Sequence, residues 1–169
     1  MQRRQILGAF TGMIGMVGLF GAVWPPAAHS AEPKTDKKPQ IEVWKDPDCG
    51  CCKEWVSHLQ ANGFAVQVND TGNTAARKRL GMPSTLGSCH TGLVNGYVIE
   101  GHVPARDILR LLREKPVALG LAVPGMPVGS PGMDGALYGN RRDPYDVLLV
   151  DRNSGTRVYA SYHRQSRKA

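Results

Sequence analysis

Aromatic side chains are scarce in this chain, at 7% of its 169 residues. None is interleaved with the basic runs "ARKRL" (76–80) and "HRQSRKA" (163–169). Proteins that hold single-stranded nucleic acid stack bases on aromatics set along a basic groove. That class is therefore excluded, and the basic runs read as a solvated surface. Internal repetition is also absent, apart from a "PGM" that ends at Met126 and again at Met133. Charge is missing from Ile6 to Trp24, an apolar run rich in Gly that follows Arg3 and Arg4. Small residues at Ala28 and Ser30 come next and form a cleavage pattern before Ala31. A charged start, an apolar run and a small-residue site in that order predict an export signal over 1–30. The alternative is a membrane anchor, since the run is about long enough to span a bilayer. The Arg pair resembles a twin-arginine signal but lacks the Ser or Thr usual before it. Removal of 1–30 takes away two arginines and no acid, so the formal charge falls from +7 to about +5. Once the signal is removed, no stable membrane insertion is expected.

Cysteine is scarce too. There are four, and three of them fall within four positions, Cys49, Cys51 and Cys52 in "DPDCGCC". The fourth, Cys89, stands in "GSCHTG". Cys49 and Cys52 have the C-x-x-C spacing of disulfide exchange, with Cys49 as nucleophile and Cys52 as resolving thiol. At a helix start the dipole lowers thiol pKa, which prepares both nucleophiles and soft metal ligands. Static disulfides are a third use of exported cysteines, for example Cys49–Cys52 with Cys51–Cys89. Exchange needs two thiols, and a third beside the resolving one invites wrong pairings. A metal site gains from it.

The surrounding pattern predicts an α/β domain. Residues 31–40 are Lys- and Pro-rich and read as a linker. "IEVWKD" (41–46) is a strand and "CKEWVSHLQANG", from Cys52, a helix that stops at Gly63. "FAVQVND" (64–70) is a second strand and "TAARKRLG" a short helix. A strand from Cys89 to Val94 meets "VIEGHV" through the Asn95-Gly96 turn. "PARDILRLLREKP" is a helix with Pro104 at its start. The order β-α-β-α-β-β-α over 41–116 is that of the thioredoxin fold, with the cysteine cluster between its first strand and first helix. Residues 117–144 form a long Gly/Pro/Met loop, flexible by composition. Residues 145–163 read as a C-terminal β-hairpin packed on that core, and 164–169 as a basic tail.

Three or four thiolates suit Zn²⁺, Cu(I) or an iron–sulfur cluster. A Cys₃His zinc site has a candidate in His90, next to Cys89. The loop methionines favour copper, because thioether selects Cu(I) and does little for Zn²⁺. Met126 and Met133 sit in "PGMPVGSPGM", where gap-filling in a core explains them less well. His58 reads as a surface residue of the first helix, and His102 and His163 carry no assigned role.

The stretches "VWKDPDCGCCKEWVSHLQANGF", "GMPSTLGSCHTGLVNGYVIEGHVPARDILRLL" and "GLAVPGMPVGSPGM" together resemble the CopG family of exported bacterial copper-resistance proteins. That family was long catalogued as a domain of unknown function. The resemblance covers roughly 41–163. It implies a thioredoxin-like fold, a periplasmic location and a copper centre held by Cys49, Cys51, Cys52 and Cys89. It also implies work beside other copper-resistance proteins, with Cu(I) bound and Cu(I)/Cu(II) interconversion as an expected activity. Met126 and Met133 match the family's methionine loop. Two other functions are kept, a thiol–disulfide oxidoreductase on Cys49 and Cys52 and a non-catalytic copper carrier.

Overall fold

The computed structural model describes residues 37–164; the expected export signal, most of the linker and all of the basic tail after Arg164 lie outside them. Seven strands form one mixed sheet. β1 (Gln40–Lys45) runs parallel to β2 (Ala65–Asn69), and α1 (Gly50–Ala61) connects them. On its other side β1 pairs antiparallel with β3 (His90–Val94), after α2 (Thr74–Arg79) and a 3₁₀ turn at Ser84–Leu86. β4 (Tyr97–Glu100) returns antiparallel to β3. Asn95 (φ 46°) and Gly96 (φ 81°) both take the left-handed conformation, as a two-residue hairpin turn of this chemistry requires. α3 (Ala105–Glu114) then leads to β5 (Gly120–Ala122), parallel to β4. β6 (Tyr145–Val150) and β7 (Thr156–Tyr162) complete the order β2-β1-β3-β4-β5-β6-β7.

Strand residues alternate between the two faces, because the side-chain period of a strand is two. Ile99, Leu121 and Leu149 pack in the main core with Trp55 and Leu59 of α1 and Ile108 and Leu111 of α3. Their neighbours Val98, Ala122 and Val150 pack in a smaller cluster with Met82 and Leu86. In α1 the buried residues Cys52, Trp55, Val56 and Leu59 recur at helical spacing, so one stripe faces the sheet.

Three features depart from the sequence-based expectation. α1 begins at Gly50, so Cys51 and Cys52 both lie in its first turn. β5 falls inside the stretch expected to be loop, and it is what joins the C-terminal strands to β4. A Cβ at Gly120 would lie 1.8 Å from the Val98 carbonyl, so glycine is needed for the two strands to meet. Third, Arg77, in a run expected to be solvated, turns inward onto the fully buried Glu100. Among the described residues no helix is long and apolar enough to cross a membrane.

Candidate metal centre

β1 ends in a turn that delivers Cys49 to the start of α1. The Cys49 N–H donates to the Asp46 carbonyl (3.2 Å), and Cys49 is the N-cap residue. The first turn of α1 contains no acid, and the positive end of the helix faces the cysteines that start it. Cys52 is fully buried on the core stripe, while Cys49, Cys51 and Cys89 are partly exposed. Cys49 and Cys52 are joined by a disulfide, and Cys51 and Cys89 are thiols. Cys89, immediately before β3, closes the group. Its Sγ lies 3.8 Å from Cys51 Sγ, which lies 3.6 Å from Cys49 Sγ. All four sulfurs lie within 4.8 Å of one another.

A second group shares Cys89. His102 Nε2 is 3.2 Å and His90 Nδ1 3.4 Å from Cys89 Sγ. Both histidines are fully buried. His102 Nδ1 lies 2.9 Å from the Pro131 carbonyl, which can only accept, so Nδ1 carries the proton and the Nε2 lone pair faces the sulfur. Metal-bound histidines typically have their other nitrogen held in this way. Burial, and then the neighbouring Cys51 sulfur, pushes the Cys89 thiol up to about 12. Cys89 therefore keeps its proton at neutral pH and donates it to His102 Nε2. Burial holds His102 below the usual imidazole range, against the Pro131 carbonyl and Asp134. His90 is held further down, by burial and then by His102, with the Gly101 carbonyl acting the other way. The His90 ring packs on Trp55 at 4.2 Å, tilted by 32°, and meets the edge of His102 at 4.8 Å. Trp55 is itself fixed by its indole N–H, which donates to the Val103 carbonyl (2.9 Å). His90 Nε2 is buried and has no hydrogen-bond partner among the described residues.

The loop expected to be flexible lies over this cluster and is held by its own turns. Gly129 N–H donates to the Met133 carbonyl (2.7 Å) and Met133 N–H to the Ser130 carbonyl (2.8 Å). Gly132 sits against α1, where an added Cβ would lie 2.6 Å from the Cys51 carbonyl. Met133 is buried, and its Sδ accepts from the Tyr138 hydroxyl (3.2 Å); Met126 is 52% exposed. Beside Cys51 a cleft of about 550 Å³ opens, lined in part by Glu54, Asp134 and Tyr138.

The structure thus brings Cys49, Cys51, Cys52, Cys89 and His90 together. His102, which had no assigned role in the sequence reading, joins them. The signal for it was present: in the β3–β4 register Thr91 faces Glu100, and continuing that register sets position 102 opposite Cys89. The donors suit a soft metal. Four sulfurs converge, two of them already thiols, and the buried imidazoles of His90 and His102 each bring one nitrogen against Cys89.

A family model described as a protein of unknown function, DUF411, matches residues 86–133. Two solved structures resemble the chain, described as copper resistance protein copG, Form 1 and Form 2. Each is 49% identical to it with a TM-score of 0.69, over 75% of this chain and 98% or 99% of theirs. No curated protein matches.

Proposed function

The chain belongs to the family of the copper resistance protein CopG, and we propose that it is an exported, periplasmic copper-binding protein that serves copper resistance. Cu(I) is held by the thiolates of Cys49, Cys51, Cys52 and Cys89. The observation that carries this reading is the convergence of four sulfurs within 4.8 Å. Disulfide exchange accounts for Cys49 and Cys52 and has no use for Cys51 and Cys89. The strand order β2-β1-β3-β4, with α1 and α3 against one face, supports a thioredoxin-like core.

The Cys49–Cys52 disulfide sets the redox state of the site. A dithiol reductant opens it by exchange, supplying two electrons and two protons and becoming a disulfide itself, and this restores four thiols. Each thiol then gives up its proton as it binds, so loading is pH-dependent. In the other direction, the dithiol closes to the disulfide and gives up two electrons and two protons. Two Cu(II) are thereby reduced to two Cu(I), which balances the electrons. Cys49 and Cys52 are the redox pair, and Cys51 and Cys89 are not oxidised. His102 orients and accepts from Cys89, and His90 adds a neutral nitrogen. Met126 and Met133 are the soft donors of the loop. Met126 is exposed enough to swing inward, whereas Met133 must first give up its hydrogen bond to Tyr138. Glu54 and Asp134 line the approach to Cys51, where their carboxylates attract a cation. Other periplasmic copper-resistance proteins are the expected partners.

The second reading, a thiol–disulfide oxidoreductase, is favoured by the disulfide at the α1 N-terminus. Cu(I) titration of the reduced protein and of Cys51→Ser, against a Cu(I) chelator and against Zn²⁺, separates the two. Tight Cu(I) binding that Cys51→Ser weakens supports the copper site. Stoichiometric zinc that copper cannot displace, or full copper occupancy in Cys51→Ser, overturns it.

A further inference from the structure

Ser88, the residue before Cys89, has every polar atom engaged. Its N–H donates to Glu100 Oε1 (2.7 Å), and its hydroxyl donates to the Gly125 carbonyl (2.5 Å). Its carbonyl accepts from Asn73 Nδ2 (3.1 Å) and from Arg77 Nη2. Arg77 Nε donates to Glu100 Oε1 (2.8 Å), and Glu100 Oε2 accepts from the Thr91 hydroxyl (2.6 Å). One buried carboxylate thus grips the residue before Cys89 and the residue after His90. One guanidinium bridges that carboxylate and the Ser88 carbonyl. Gly101, at φ 69°, leaves room for Ser88, since a Cβ there would lie 2.6 Å from Ser88 Cβ.

Stability alone does not explain this arrangement. A buried ion pair loses the hydration of both charges, and an apolar pair of similar volume is often as stable or more so. The pair does supply direction. Guanidinium and carboxylate hydrogen bonds have fixed geometry, so the Ser88 peptide is held from both of its polar ends. Cys89 needs such help more than the other three cysteines, because it comes from a loop, whereas they stand at the start of α1.

We propose that Arg77 and Glu100 are positioning residues that present the Cys89 sulfur to the other three sulfurs of the Cu(I) site. This rests on the copper reading above. Neither residue is hydrogen-bonded to a cysteine of α1, and both hold the Ser88 peptide that carries Cys89.

The test is a double-mutant cycle on Cu(I) affinity, measured by chelator competition with the purified, reduced protein. It uses wild type, Arg77→Lys, Cys89→Ser and the double variant. Lysine keeps the charge but is a single point donor and cannot reproduce the fork that spans Glu100 and Ser88. Arg77→Lys is expected to weaken Cu(I) binding roughly 10–100-fold, the range for partners that orient metal ligands. In the Cys89→Ser background it is expected to cause no further loss. Equal losses in both backgrounds mark a general disturbance of the fold and overturn the proposal. Unchanged affinity in Arg77→Lys, with a loss in Cys89→Ser, overturns the positioning role and leaves the copper site standing. Unchanged affinity in Cys89→Ser overturns the copper reading and this proposal with it. Where Arg77→Lys does not fold, the apolar pair Arg77→Met, Glu100→Leu takes its place in the same cycle with the same expected pattern.

Discussion

Replacement of Gly132 by Ala tests whether the loop is seated on the cysteine cluster. Gly132 has φ +85°, and a Cβ there would lie 2.6 Å from the Cys51 carbonyl oxygen and 2.9 Å from the Trp55 nitrogen. Both are backbone atoms of α1, so no side-chain rotation relieves the contact. The left-handed backbone costs a non-glycine residue about 1–2 kcal/mol. Forced overpacking typically costs about 1–3 kcal/mol more. Together these disfavour the seated loop by roughly 2–5 kcal/mol, or about thirtyfold and upward in its opening equilibrium. A domain is typically stable by about 5–15 kcal/mol, so the loop is expected to lift while the sheet stays folded. Native-state hydrogen exchange reads this directly at the Gly129 and Met133 amides, which donate within the loop. His102 then loses its Pro131 partner, and the ¹⁵N shifts of its ring show the proton no longer confined to Nδ1. Gly135→Ala is the control, because Gly135 has no positive φ and nothing lies near its Cβ. If Gly132→Ala and Gly135→Ala exchange alike at Gly129 and Met133, the seating of the loop on α1 is wrong.

The Met126→Leu, Met133→Leu double variant keeps volume and apolarity, so its stability is expected to fall by less than about 1.5 kcal/mol. Its Cu(I) affinity is expected to drop, and an unchanged affinity in chelator competition confines the site to the cysteines and histidines. A pH series is also informative. His58, His90 and His102 are all held below the free value of 6.5, chiefly by burial. The unfolded chain takes up protons below that value that the folded chain refuses, so stability is fully present above about pH 6.5 and declines as pH falls below it. Each histidine adds a slope of up to about 1.4 kcal/mol per pH unit, and thermal melts of the metal-free protein from pH 7 to 5 show it. His58→Gln is expected to flatten the slope, because His58 must stay neutral to accept the Ala105 N–H (3.1 Å). A Tm that does not change over that range refutes this account of the histidines.

What the sequence by itself determined is local. The 3.6-residue spacing of Trp55, Val56 and Leu59 names the face of α1 that goes inward, since helical geometry alone puts them on one stripe. The Asn-Gly pair names a hairpin, because few other residues accept two successive positive φ angles. The cluster of Cys49, Cys51 and Cys52 already limits the chemistry to thiols or soft metals. What only the tertiary structure decided depends on distance across the sheet. β5 is three residues long in a Gly-rich run, too short to show a period, and becomes a strand only because β4 and β6 flank it. Arg77 resembles its exposed neighbours Lys78 and Arg79 in sequence, and only the burial of Glu100 draws it inward. Cys89 meets Cys51 across 38 positions of chain, and His102 meets Cys89 across the hairpin. A residue's type states which bonds it can make, whereas the fold decides which partner stands within bonding distance and what water is left to compete.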